Sequence, residues 1–118
     1  MFKMYIPKAR VCAIKYDGKN IEEINSFIET CNEYVKLDML EGKIKSCFKE
    51  CIIKLSSTMS LDNGTKVLLI YTEPSTTEMF VKEGSYIIFD IDRHSISSLP
   101  ENSFIASYEE DKTVNLYD

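Results

Sequence analysis

Ile24, Ile28 and Cys31 follow Ile21 by three, seven and ten residues, and Phe27 sits beside Ile28 on the same side. That spacing marks one apolar stripe of an amphipathic helix over residues 20–31. Asn20 is placed to cap its first turn, and Glu22 and Glu23 occupy positions where the helix dipole favours acids. A helix with one apolar side must bury it against something. From Tyr34 onward the apolar period shortens to that of strands, so the sequence supplies a sheet for it to cover.

The strand candidates are short and bounded by turn residues. Residues 10–16 form one before the Asp17-Gly18 turn. Residues 34–38, 43–48, 51–55, 66–71 and 79–81 follow. Asn63-Gly64 between two of these predicts a hairpin with a type I′ turn. After the Glu83-Gly84 turn come strands at 85–90 and 95–99, joined by a hairpin tip at 92–94. Further strands are expected around 104–108 and 113–117. One N-terminal amphipathic helix followed by a run of short strands predicts an α+β fold, with a strongly curved, partly barrel-like antiparallel sheet. A chain of 118 residues is expected to form a single domain.

The first ten residues lack the apolar run of about seven or more that a signal peptide needs. No stretch reaches the roughly 18 apolar residues of a membrane span. A cytoplasmic location is therefore expected, with Cys12, Cys31, Cys47 and Cys51 as free thiols. Cys47 and Cys51 form a single close pair. A structural zinc site usually draws on two such pairs, so neither a metal nor any other cofactor is expected.

Charge is unevenly placed. Residues 1–72 carry 11 Lys or Arg against 9 Asp or Glu, whereas residues 73–118 carry 3 against 10. An acidic C-terminal third repels nucleic-acid backbones, and it attracts partners with a basic surface.

Chemistry-capable side chains are densest at Asp90, Asp92 and His94. Alternate strand residues share a face, so the two aspartates could hold a cation there. Haloacid-dehalogenase-type phosphotransferases use such a pair, along with further motifs on a longer chain. His94 is the one histidine, no G-x-S-x-G elbow is present, and four glycines make no phosphate-binding loop. A hydrolase built on His94 ranks last of the readings, and no catalytic residue is assigned. The aromatic residues Tyr71, Phe80, Tyr86, Phe89, Phe104 and Tyr108 are expected mainly in the core.

Val11-Cys-Ala-Ile-Lys-Tyr16, Asn20-Ile-Glu-Glu-Ile24, Val67-Leu-Leu-Ile70, Val81-Lys-Glu-Gly-Ser-Tyr-Ile-Ile88 and Phe104-Ile-Ala-Ser-Tyr108 occur in that order along most of the chain. This order resembles the small PGDYG-like proteins of bacteriophages and prophages of Gram-positive bacteria. The family's Pro-Gly-Asp is Glu83-Gly84-Ser85 here, and set beside the family's pattern the segment 34–61 is long and reads as an insertion. The resemblance implies a phage accessory protein without an activity or catalytic residues to carry over. Such a protein would act by stoichiometric binding to a host protein, for instance as an inhibitor of bacterial defence of the anti-CRISPR kind.

The expected protein-binding residues are Glu78, Phe80, Glu83, Tyr86, Asp90 and Asp92. The alternative is a module that sequesters a nucleotide-like signal through Lys43, Lys45, Lys49 and Lys54.

Overall fold

The computed structural model describes residues 3–4, 10–41, 52–73 and 78–109. Within them the chain forms two helices and two three-stranded antiparallel sheets, an α+β architecture. The strands are β1 (Val11–Lys15), β2 (Ile52–Ser60), β3 (Lys66–Glu73), β4 (Glu78–Lys82), β5 (Ser85–Asp90) and β6 (Ser95–Pro100), and the helices are α1 (Ile21–Leu40) and α2 (Glu101–Ser107). One sheet has the order β1-β5-β6 and the other β2-β3-β4. Among the described residues they do not close into a barrel.

The chain passes between the sheets at Glu83 and Gly84. The Glu83 amide donates to the Lys66 carbonyl at 2.9 Å, extending the β3–β4 ladder. The next amide, Gly84, donates to the Tyr16 carbonyl at 2.7 Å, and the Tyr16 amide donates to Ser85 at 2.9 Å. Gly84 and Ser85 thus oppose the single residue Tyr16, a bulge that bends the strand. Gly84 has φ +89°, and a Cβ there would meet nothing within 4 Å. The need for glycine at this corner is purely a matter of backbone conformation. Gly84→Ala should therefore cost about 1–2 kcal/mol in chemical denaturation, with the native spectrum retained.

α1 is longer than the stripe at 20–31 suggests. Ile24, Phe27, Ile28, Cys31 and Val35 are all buried, so the apolar side continues through residues 34–38, which are helix and not strand. Asn20 does not cap with its side chain. Its carbonyl accepts from the Ile24 amide, while its side-chain amide takes the Asp17 N–H and donates to the Lys15 carbonyl. The cap residue thus ties the helix back to the end of β1. No described helix is long and apolar enough to cross a membrane.

One core joins α1 to the inner faces of both sheets: Cys12 and Tyr16, Ile53, Leu68 and Ile70, Val81, Ile87 and Phe89. Cys12 and Cys31 are buried free thiols that share a hydrogen bond across the α1–β1 junction. That contact and burial together push the Cys31 thiol up, so both sulfurs belong to the apolar core. Tyr16 is 1% exposed, and its hydroxyl is pushed up by burial and by the nearby Glu83 and Asp17 carboxylates. Its proton is held more tightly in the folded chain than in the unfolded one. The stability it contributes is complete below about pH 10 and is lost as pH rises through the folded value. The thermal midpoint should thus fall more steeply above about pH 10 in the native protein than in Tyr16→Phe.

Two turns differ from expectation. In the β2–β3 hairpin only Gly64 has positive φ, +85°, with its amide donating to the Leu61 carbonyl at 2.9 Å. A type I′ turn needs two such residues, so this is the longer loop that ends in a left-handed glycine. Residues 104–107 belong to α2, where a strand was expected around 104–108. Pro100 begins the helix, Glu101 forms a 3.1 Å ion pair with Lys15, and the Phe104 ring stacks on Tyr86 at 3.9 Å. Of the stretch 34–61, residues 34–40 complete α1 and 52–60 form β2. The expected strands at 43–48 and 113–117 lie outside the described residues, as do Lys43, Lys45, Lys49, Cys47 and Cys51.

Candidate functional site

β4 alternates along its length. Met79 and Val81 point to the core side, and Val81 is fully buried. Glu78, Phe80 and Lys82 share the outer face. Register continues that face across the sheet: Phe80 lies opposite Leu69, which lies opposite Ser57, and Lys82 lies opposite Val67, which lies opposite Met59. Glu78 aligns with Tyr71 and Lys54. The outcome is an outer surface with an apolar centre at Phe80, Leu69 and Met59, over the buried Val67, and with charges at its corners. Phe80 is 58% exposed although it stands in mid-strand, and Met59 is 41% exposed.

Beside this surface runs an open cleft of about 570 Å³ between β4 and β6. Each is the outermost strand of its sheet among the described residues. Ile70 and Met79 line one wall, Ile96, Ser98 and Pro100 the other, and Glu78, Phe80 and Lys82 stand at its mouth.

The expected binding residues do not gather into one acidic face. Glu83 accepts the Lys66 amide at 2.8 Å and so fastens the β3–β4 corner. Asp90 accepts the amides of Asp92 and Arg93 at 3.1 and 3.0 Å, which shapes the β5–β6 hairpin. Asp92 is ion-paired with Arg10 at 2.6 Å, and that guanidinium holds its carboxyl below the usual range. Tyr86 lies under the Phe104 ring, on the outer face of the other sheet. Only Glu78 and Phe80 of the six meet at the cleft.

His94 has φ 55° at the hairpin tip, with its ring tilted against Phe89 at 6.5 Å between centroids. Asp90 and Asp92 thus serve the loop's own backbone and Arg10. No group of three or more metal-ligating side chains forms among the described residues.

Sequence reasoning passed over Met59, Leu69 and Lys82. The alternation Glu78-x-Phe80-x-Lys82 was visible, but the neighbours of Phe80 depend on strand register. The acids exposed on α1 (Glu22, Glu23, Glu29 and Glu33) were also missed as a surface, because the balancing lysines of residues 1–72 hid them in the count. No family model matches the chain, and comparison with curated proteins and with solved structures returned no match.

Proposed function

We propose that this protein acts by binding another protein, with Phe80 and the outer face of β2-β3-β4 as the contact surface. The observation that carries this reading is the exposure of Phe80 at the centre of an apolar face beside an open cleft. Aromatic side chains in such settings supply the anchoring part of interfaces, surrounded by a charged rim. Glu78, Lys82 and Lys54 form that rim.

The net charge of −5 and the exposed acids of α1 favour a partner with a basic surface. They act on encounter through the long-range field more than at the Phe80 contact itself. The resemblance to PGDYG-like proteins supports the biological setting: a phage-type accessory protein in the cytoplasm of a bacterial host. There it would block a host protein stoichiometrically, as an anti-CRISPR protein does. Of the four lysines proposed for a nucleotide-like signal, only Lys54 is described, so no observation favours sequestration. A hydrolase on His94 lacks support for a different reason, since Asp90 and Asp92 are engaged by the hairpin and by Arg10.

The test is capture from host lysate by the tagged chain, comparing Phe80→Ser with Ile105→Ser. Ile105 is as exposed as Phe80, at 62%, but lies on α2. A partner retained by the α2 variant and lost by the β4 variant fits the proposal. A partner retained equally by both contradicts it.

A further inference from the structure

Among the described residues one edge of β4 is open, and its charge order complements itself. Glu83 directs its amide to β3, and the β3–β4 register is regular from Glu78 to Lys82. Backbone groups alternate in direction along a strand, so Met79 and Val81 pair with β3. The N–H and C=O of Glu78, Phe80 and Lys82 therefore point to the open edge.

We infer that β4 is the pairing edge for a second copy of this chain, in an antiparallel arrangement about a two-fold axis through Phe80. In that register Phe80 meets Phe80 of the second copy, Glu78 meets its Lys82, and Lys82 meets its Glu78. Both charge pairs are opposite in sign, and neither residue has an ion-pair partner among the described residues. The three outward residues of each β4 exchange backbone hydrogen bonds across the axis. Met79 and Val81 of each copy face each other on the side where Met79, Ile70 and Ile96 line the cleft. Two three-stranded sheets become one sheet of six strands, and the unpaired edge is removed. Such an interface is isologous and closes at two copies. The backbone pairing uses the edge of β4, but the side chains of Glu78, Phe80 and Lys82 also belong to the outer face proposed for the host partner, so the test reads self-association of the isolated chain.

Charge reversal tests it on the full chain by sedimentation equilibrium at low salt. Glu78→Lys sets two ammonium groups against each other at both cross-pairs, and Lys82→Glu sets two carboxylates against each other there. By symmetry each single change turns two attractive pairs into repulsive ones. Each should weaken the dimer by about tenfold or more, which needs only about 1.4 kcal/mol. The double variant Glu78→Lys/Lys82→Glu should restore the native dissociation constant. Mixing the two single variants should form a one-to-one heterodimer, because both cross-pairs are then opposite in sign. A monomeric native protein, single variants that dimerise as well as the native chain, or a mixture that does not pair would each overturn the inference.

Discussion

Replacing Asn32 with alanine should lower the stability of the fold by about 2–4 kcal/mol, as two partly buried backbone groups lose their partner. Asn32 is on α1, yet its side-chain amide acts as a short piece of strand. Its Nδ2 donates to the Ile53 carbonyl and its Oδ1 accepts from the Ile53 amide, both at 3.0 Å. β2 is the outer strand of its sheet, and Ile53 is 3% exposed with both backbone groups turned away from β3. The Asn32 carboxamide thus closes the β2 edge and fixes α1 to the sheet at once.

Urea denaturation measures this directly, with an unchanged slope expected because the surface exposed on unfolding is the same. Asn32→Asp keeps an acceptor for the amide but sets a second oxygen against the Ile53 carbonyl. It should lose at least as much at neutral pH. A loss under about 1 kcal/mol in Asn32→Ala would mean that water serves Ile53 equally well, and the edge closure would then carry little of the stability.

Phe80→Ser should weaken partner binding by about 2 kcal/mol or more, roughly thirtyfold. More than half of the Phe80 surface is exposed at 58%, so little apolar area returns to water in the isolated protein when the ring is removed. Stability should change by no more than about 1 kcal/mol. In a complex the same ring would be fully desolvated against the partner. Titration calorimetry with the captured partner gives the affinity, and thermal unfolding of the free variant gives the stability. A variant that binds normally and unfolds early would assign Phe80 to the fold instead.

The apolar stripe at Ile21, Ile24, Phe27, Ile28 and Cys31 was legible because helical periodicity is local, and so were β3, β5 and the hairpin at 92–94. Tyr34 and Val35 were misread as strand because β-branched and aromatic residues favour strands, while the core side of α1 was still continuing. Phe104 and Tyr108 were misread for the same reason. Phe104 stacks on Tyr86, a contact 18 residues away that propensity does not register, and Tyr108 stacks in turn on Phe104. The expected acidic face is the more instructive case. Charge counts along the chain cannot tell a free carboxylate from an engaged one: Glu83 and Asp90 accept backbone amides, and Asp92 is ion-paired with Arg10. Alternation alone put Phe80 on a strand. Its exposure and its neighbours Leu69 and Met59 depend on how three strands align.

The most direct test of Phe80 as the anchor is a photo-crosslinking amino acid placed at position 80 of the full chain in the bacterial host, with position 105 on α2 as the comparison. The account predicts a crosslink to one host protein from position 80, beyond any crosslink to a second copy of the chain, and none to that protein from position 105. Crosslinks to a host protein from position 105, with position 80 silent, would contradict it.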